Sequence, residues 1–197
     1  MRLTAVAHAY GSRAFRWCEE LSLPKKLALA AAFAVFLALA AQIRLPVPWS
    51  PVPVTGQTFV VLLAGVLLGR SWGAFSMGLY AGAGALGAPV FAGGAAGLAV
   101  LAGPTGGYIA GFVLAAAFVG YAVRAYPALR GVVGLTALLL VANFVIIHGL
   151  GLLYLGYLTG ADLPALLWMG TIPFIVGDVT KILAAVAVAS VVLPREP

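Results

Sequence analysis

Asp178 and Lys181 stand three positions apart within residues 170–193, a stretch that is otherwise apolar (GTIPFIVGDVTKILAAVAVASVVL). On a helix this spacing puts both side chains on one face, where they can neutralise each other. An ionisable group near mid-bilayer costs about 2.5–3.5 kcal/mol on insertion scales, so a retained pair is a candidate for a functional site. Two chemistries fit. The pair is an intrahelical salt bridge that only orients the helix, or it anchors a small polar ligand held between helices. Pro173 suits the first turn of such a helix, which places the pair about two or three turns in.

Other polar residues that can share such a site are spread along the chain. Thr55, Gln57 and Thr58 open one apolar stretch, Tyr80 lies in the next, and Asn143 in a later one. Each alone also reads as an interhelical hydrogen bond worth about 0.6–2 kcal/mol. Together they read as the lining of an outward-facing pocket. Residues 87–108 (GAPVFAGGAAGLAVLAGPTGGY) are uncharged and apolar, which is unusual for a segment facing water. The glycines there, Gly93 and Gly94 among them, allow positive φ and close backbone approach, so main-chain N–H groups can reach a ligand. The segment is either a dry lid over the pocket or a re-entrant structural element.

Reactive chemistry is harder to assemble. No G-x-x-x-x-G-K-[ST], H-E-x-x-H or C-x-x-C motif occurs. The two histidines, His8 and His148, fall on different elements with no carboxylate at ligand spacing. His148 reads as a hydrogen-bonded packing residue. Cys18 is the single cysteine, which excludes an internal disulfide or a Cys-based metal site. The expectation is a binding protein and not an enzyme, with no catalytic residues, no metal and no cofactor.

The elements that must position these groups follow from composition. Hydrophobic residues make up 63% of the chain and charged ones 8%, with a mean hydropathy of +1.12. Such a chain is an all-α polytopic membrane protein. Six spans fit, at 27–43, 54–69, 72–88, 106–123, 131–158 and 170–193, with a Gly-rich loop or re-entrant segment between the third and fourth. The net charge of +6 reflects topology and not nucleic-acid binding. With both termini cytoplasmic, Arg2, Arg13, Arg16, Lys25, Lys26, Arg70, Arg124, Arg130 and Arg195 fall inside and Arg44 alone outside. A seventh span through 89–105 would move Arg124, Arg130 and Arg195 outside, against that bias.

The expected organisation is a cytoplasmic tail at 1–24, a transmembrane substrate-binding domain at 25–193 and a cytoplasmic end at 194–197. Lys25-Lys26 followed by an apolar core and Ala38-Leu39-Ala40 looks like a signal peptide, but the basic region before it is too long, so no cleavage is expected. Ala30, Ala34 and Ala38 recur every fourth position, with Ala28 and Ala32 as a neighbouring row. Small residues at that spacing let a helix pack closely, either within this chain or from another subunit. Gly103, Gly107 and Gly111 make a similar row.

Five stretches, in order, carry a family resemblance: PVPVTGQTF (51–59), LLAGVLLG (62–69), GAPVFAGG (87–94), GPTGGY (103–108) and GDVTK (177–181). The chain resembles the BioY family, the biotin-binding S components of energy-coupling factor (ECF) transporters. The match is loose at the N-terminal tail and over 124–160, where His148 stands in place of an expected aromatic. The resemblance implies a multi-pass protein of the cell membrane that captures biotin outside the cell. It also implies a transmembrane T component and two ABC-type ATPases as partners, with the A-x-x-x-A row Ala30/Ala34/Ala38 as the docking surface for the former. Under this reading Asp178 accepts from a ureido N–H, and Asn143 or Gln57 completes the polar contacts. Lys181 and backbone N–H groups near Gly93 and Gly94 take the carboxylate or the ureido oxygen. Phe91, Tyr80 and Tyr108 cover the apolar ring. Other readings are an S component for another vitamin and an ion-coupled secondary transporter using Asp178. The second is disfavoured by the short chain and the lack of an inverted repeat.

Overall fold

The computed structural model describes residues 20–193. Most of the expected tail, with His8 and Cys18, and the C-terminal 194–197 lie outside the described residues. The chain is mostly helical, because a bilayer core offers backbone N–H and C=O groups no partners but one another. The helices are α1 (Leu23–Gln42), α2 (Gln57–Ala85), the single turn α3 (Leu98–Leu101) and α4 (Gly106–Ala125). They continue as α5 (Val132–Leu140), α6 (His148–Thr159), α7 (Leu163–Gly170) and α8 (Ile175–Val192). A π-helical segment, Val141–Ile147, joins α5 to α6 without a break. Five helical stretches among the described residues are long and apolar enough to cross a membrane: Leu23–Gln42, Gln57–Ala85, Gly106–Ala125, Val132–Thr159 and Leu163–Val192.

α2 is not one rod. Gly69 sits at φ 80° and ψ −176°, a conformation open in practice only to glycine, and divides the helix into limbs 57–68 and 70–85. Gln57 Nε2 donates to Tyr80 Oη at 2.8 Å, whereas an unbroken helix would hold these residues about 35 Å apart. The limbs therefore fold back on each other, at the place where the sequence separates its second and third apolar stretches. Arg124 of α4 donates to the carbonyls of Val66 and Leu67 beside the break, which satisfies acceptors that end a helix.

α1 runs alongside the limb 70–85. Ser76 Oγ donates to Ala30 O at 2.8 Å, and Gln42 Nε2 reaches Phe91 O at 3.2 Å. Ala30 is 0% exposed and Ala34 8%, with Ala38 half-buried. This corrects the expectation that Ala30, Ala34 and Ala38 form an outward docking face. Their small side chains let a neighbouring helix of the same chain approach closely, and the exposed row on α1 is Ala28 and Ala32.

The basic residues gather at one end. Arg70 lies over the Tyr121 ring at 5.7 Å, and Arg130 Nε donates to Val123 O at 2.9 Å. Lys25 and Lys26 begin α1 at this same end. At the other end, strands β1 (Arg44–Leu45) and β2 (Val54–Thr55) pair antiparallel with Arg44 opposite Thr55. The loop between them stacks Trp49 on Trp168 of α7, with both rings exposed, as interfacial aromatics are.

The last apolar stretch differs from its sequence reading in two ways. α7 fills the interval between the expected spans 131–158 and 170–193; Asp162 caps it by accepting from Ala165 N at 3.0 Å. A 3₁₀ turn, Ile172–Phe174, then takes Pro173, and α8 begins at Ile175. Asp178 thus lies in the first turn of α8 rather than deep within it, where the helix dipole favours a negative charge.

Candidate functional site

A cavity of about 420 Å³ opens at the end of the molecule that carries the β-hairpin, within the ~300–1,000 Å³ range usual for small-molecule sites. The two limbs of α2, α4, the π segment with α6, and α8 enclose it. Residues 91–105 cover one side. That segment is held down by its own hydrogen bonds: Phe91 N donates to Ala95 O, and Gly97 N to Gly84 O. Phe91 is 1% exposed and meets Tyr80 edge to face at 5.4 Å. Gly84 makes room for it, since a Cβ there would overlap the Phe91 ring.

Of the residues expected at the site, Asp178, Lys181, Gln57, Tyr80 and Phe91 line the cavity, as does Tyr108. Asn143 is fully buried behind Asp178 and does not line it. Gly93 and Gly94 do not line it either. The Gly94 N–H is already donated, to Gln42 Oε1 and Phe91 O, both at 3.0 Å. This corrects the expected use of that group for a ligand.

Asp178 is the hub of the inner end, with its side chain 1% exposed. Oδ1 accepts from Lys181 Nζ at 2.5 Å and from Thr58 Oγ1 at 3.2 Å. Oδ2 accepts from Asn143 Nδ2 at 2.9 Å and lies 2.8 Å from His148 Nε2. A buried carboxylate is tolerated only when paired and hydrogen-bonded, and this one meets a partner at each of its four lone-pair positions. Lys181 also donates to Thr55 O at 2.8 Å, which leaves it one N–H toward the cavity.

His148 is the site residue that sequence reasoning missed. Its partner lies thirty positions away on another helix, so no local spacing announced it. Backbone geometry supplies the rest. Residues five apart lie about 140° apart around an α-helix, and in a π-helix, at ~4.4 residues per turn, only about 50°. The His148 N–H bonds to Asn143 O in that π pattern, and so both side chains reach Asp178 Oδ2. Such π turns are frequent at functional sites.

The walls are apolar: Phe91, Val100, Ile109, Phe112, Ile147 and Phe174. Arg44 stands at the mouth, exposed, without an ion pair or side-chain hydrogen bond among the described residues. Its guanidinium lies against Gly93, where an added Cβ would overlap it. Topology alone had placed Arg44 on the outer side; only the fold brings it to the cavity. The arrangement suits a ligand with a polar head carrying donors and an acceptor, an apolar body, and an anion at the outer end. Among the described residues no group of three or more His, Cys, Asp or Glu side chains forms a metal site.

Comparison with known proteins gives consistent similarities. The model of the BioY family matches residues 13–197. A probable biotin transporter BioY of Methanothermobacter thermautotrophicus is 42% identical over 141 residues, covering 68% of this chain and 90% of the relative. The biotin transporter BioY of Thermotoga maritima is 34% identical over 170 residues, covering 84% and 94%. A crystal structure of the S-component for biotin from an ECF-type ABC transporter shares the fold, with a TM-score of 0.79 at 24% identity over 86% of this chain and 93% of that one.

Proposed function

The chain belongs to the BioY family, and from that premise we propose that it is the biotin-binding S component of an ECF-type vitamin transporter. The observation that carries this reading is the cavity's polarity, which follows biotin from end to end. The inner end offers the Asp178 carboxylate and the remaining Lys181 N–H to a ureido group, which has two N–H donors and one carbonyl. Thr58, at 3.2 Å the longest of the Asp178 contacts, is the donor that a ureido N–H displaces. Gln57 and Tyr80, bonded to each other, add polar groups alongside. Phe91, Tyr108 and Phe112 cover the thiophane ring and the aliphatic chain. Arg44 at the mouth meets the carboxylate, while Lys181 stays at the inner end, bound to Asp178 and Thr55.

The chain then acts as a transporter subunit and not as an enzyme. It crosses the cell membrane six times, the limbs of α2 counting as two crossings, with both ends in the cytoplasm. The cluster of Arg70, Arg124 and Arg130 opposite Arg44 supports that orientation. A transmembrane T component and two ABC-type ATPases complete the system, and the exposed Ala28/Ala32 row on α1 is the surface offered to the former.

Equilibrium binding of radiolabelled biotin to the purified protein in detergent tests the reading, with thiamine, riboflavin and lipoate as competitors. Binding displaced only by unlabelled biotin is expected. Displacement by another vitamin would reassign the substrate, and a folded sample that binds none of them would remove this function.

A further inference from the structure

Resting on the biotin reading above, we propose that Gln42 is a positioning residue of the ligand site: it ties the turn 91–94 to the end of α1, and the rate of ligand release depends on that tie. Gln42 closes α1 and is the one polar side chain of that helix beyond Lys26. Its neighbours fix which way the amide points. Nε2 lies 3.0 Å from Ala38 O, 3.2 Å from Phe91 O and 3.4 Å from Val90 O, and carbonyl oxygens only accept. Oε1 lies 3.0 Å from Gly94 N, which only donates. One side chain thus holds both ends of the turn, the Phe91 carbonyl and the Gly94 N–H. Between them stand Gly93 and Gly94 at φ 73° and 74°. Consecutive glycines are the backbone most costly to order, so a clamp across them matters more than it would elsewhere.

What the turn carries links the tie to the ligand. Phe91 is 1% exposed, forms part of the cavity wall and meets Tyr80 edge to face at 5.4 Å. Gly93 lies against the guanidinium of Arg44, the group assigned to the ligand carboxylate. One turn therefore places both an apolar wall and the seat of the cation at the mouth. The end of α1 is a firm anchor for it. Ala40 O and Ile43 O accept from Gly56 N at 3.2 and 3.1 Å, and Arg44 pairs with Thr55. This joins the end of α1 to the start of α2, where Gln57 and Thr58 line the cavity.

Gln42 itself is exposed and does not line the cavity, so its loss removes little packing and reaches the ligand only through the turn. With the tie in place, Phe91 stays over the apolar body of the ligand. Without it, the turn leaves the body of the protein more often, and each opening frees that part of the ligand. Release accelerates, while capture through the mouth changes little.

The test measures association and dissociation rates of radiolabelled biotin for the wild-type protein, Gln42→Ala, Gln42→Glu and Ser76→Ala. Dissociation should be about five- to thirtyfold faster in Gln42→Ala, the scale of one or two ordinary hydrogen bonds, with association within about threefold of wild type. Gln42→Glu keeps the side-chain length and an acceptor for Gly94 N, but turns oxygen toward three carbonyls, and should release biotin at least as fast. Ser76→Ala removes a different bond to α1, from Ser76 Oγ to Ala30 O, and should dissociate like wild type. Wild-type dissociation in either Gln42 variant, or equal acceleration in Ser76→Ala, overturns the proposal. Hydrogen–deuterium exchange without ligand reads the tie directly. Residues 90–97 should exchange faster in Gln42→Ala and residues 57–68 at the wild-type rate; unchanged exchange over 90–97 overturns the proposal whatever binds. A wild-type protein that binds no biotin, while Gln42→Ala still loosens 90–97, would instead overturn the ligand reading.

Discussion

Replacing Asp178 by Asn tests the centre of the site with a change of almost no volume. The carboxylate takes four contacts, and an amide keeps one acceptor oxygen while turning its NH₂ group toward the donors at the other position. If the NH₂ replaces Oδ1, it meets Lys181 and Thr58; if it replaces Oδ2, it meets Asn143 and His148. Either way two hydrogen bonds are lost and Lys181 loses its counter-charge. Breaking a buried ion pair in this manner costs about 3–5 kcal/mol. The Lys181 side chain keeps 17% exposure, so some hydration remains and the lower end, about 3 kcal/mol, is expected. Biotin affinity should fall as well, because a ureido N–H then meets a neutral acceptor. At about 1.5–3 kcal/mol for a hydrogen bond to a charged group, the loss is roughly 10- to 150-fold. The assay is a double-mutant cycle of Asp178→Asn, Lys181→Met and both together, reading unfolding in detergent micelles and biotin Kd on the same samples. The double variant should recover part of the stability lost in Asp178→Asn, since no orphaned cation remains. An Asp178→Asn protein that unfolds and binds biotin like wild type would refute this account of the site.

Three further outcomes are expected. Arg44→Ala should weaken biotin about five- to tenfold, modest because the group is exposed, and should leave the Kd of biotinamide, which lacks the carboxylate, unchanged; equal losses for both would remove Arg44 from carboxylate recognition. Gly69→Ala should cost about 1–3 kcal/mol in unfolding measurements for its positive φ, and more because the new methyl group meets the Arg124 guanidinium; a neutral result would mean that the turn between the limbs is not held as described. Ala30→Leu should destabilise by about 1–3 kcal/mol through overpacking against the limb 70–85, while Ala28→Leu with Ala32→Leu should leave folding and biotin binding intact and stop uptake in cells that supply the T component and ATPases. Normal uptake by that double variant would move the docking surface elsewhere.

Features that depend on composition and on short spacings are legible without a fold. Hydropathy separates the apolar stretches, since a bilayer spanned by helix demands long uncharged runs. The positive-inside bias gives their expected orientation and sets Arg44 apart from the other basic residues. The i, i+3 spacing of Asp178 and Lys181 is local, so their pairing was visible without a fold. Which distant groups meet depends on how the helices pack. Alanine spacing on α1 shows that something packs there, but only the fold shows that the limb 70–85 covers Ala30 and leaves Ala28 and Ala32 exposed. Gly94 carries no sequence mark that Gln42 would occupy its N–H. The π segment is the clearest case. Reading residues 131–158 at 3.6 per turn sets Asn143 and His148 on different faces, and one wider turn of backbone brings both to Asp178. A π turn leaves no trace in hydrophobic periodicity, because it is paid for by contacts that exist only once α8 is in place.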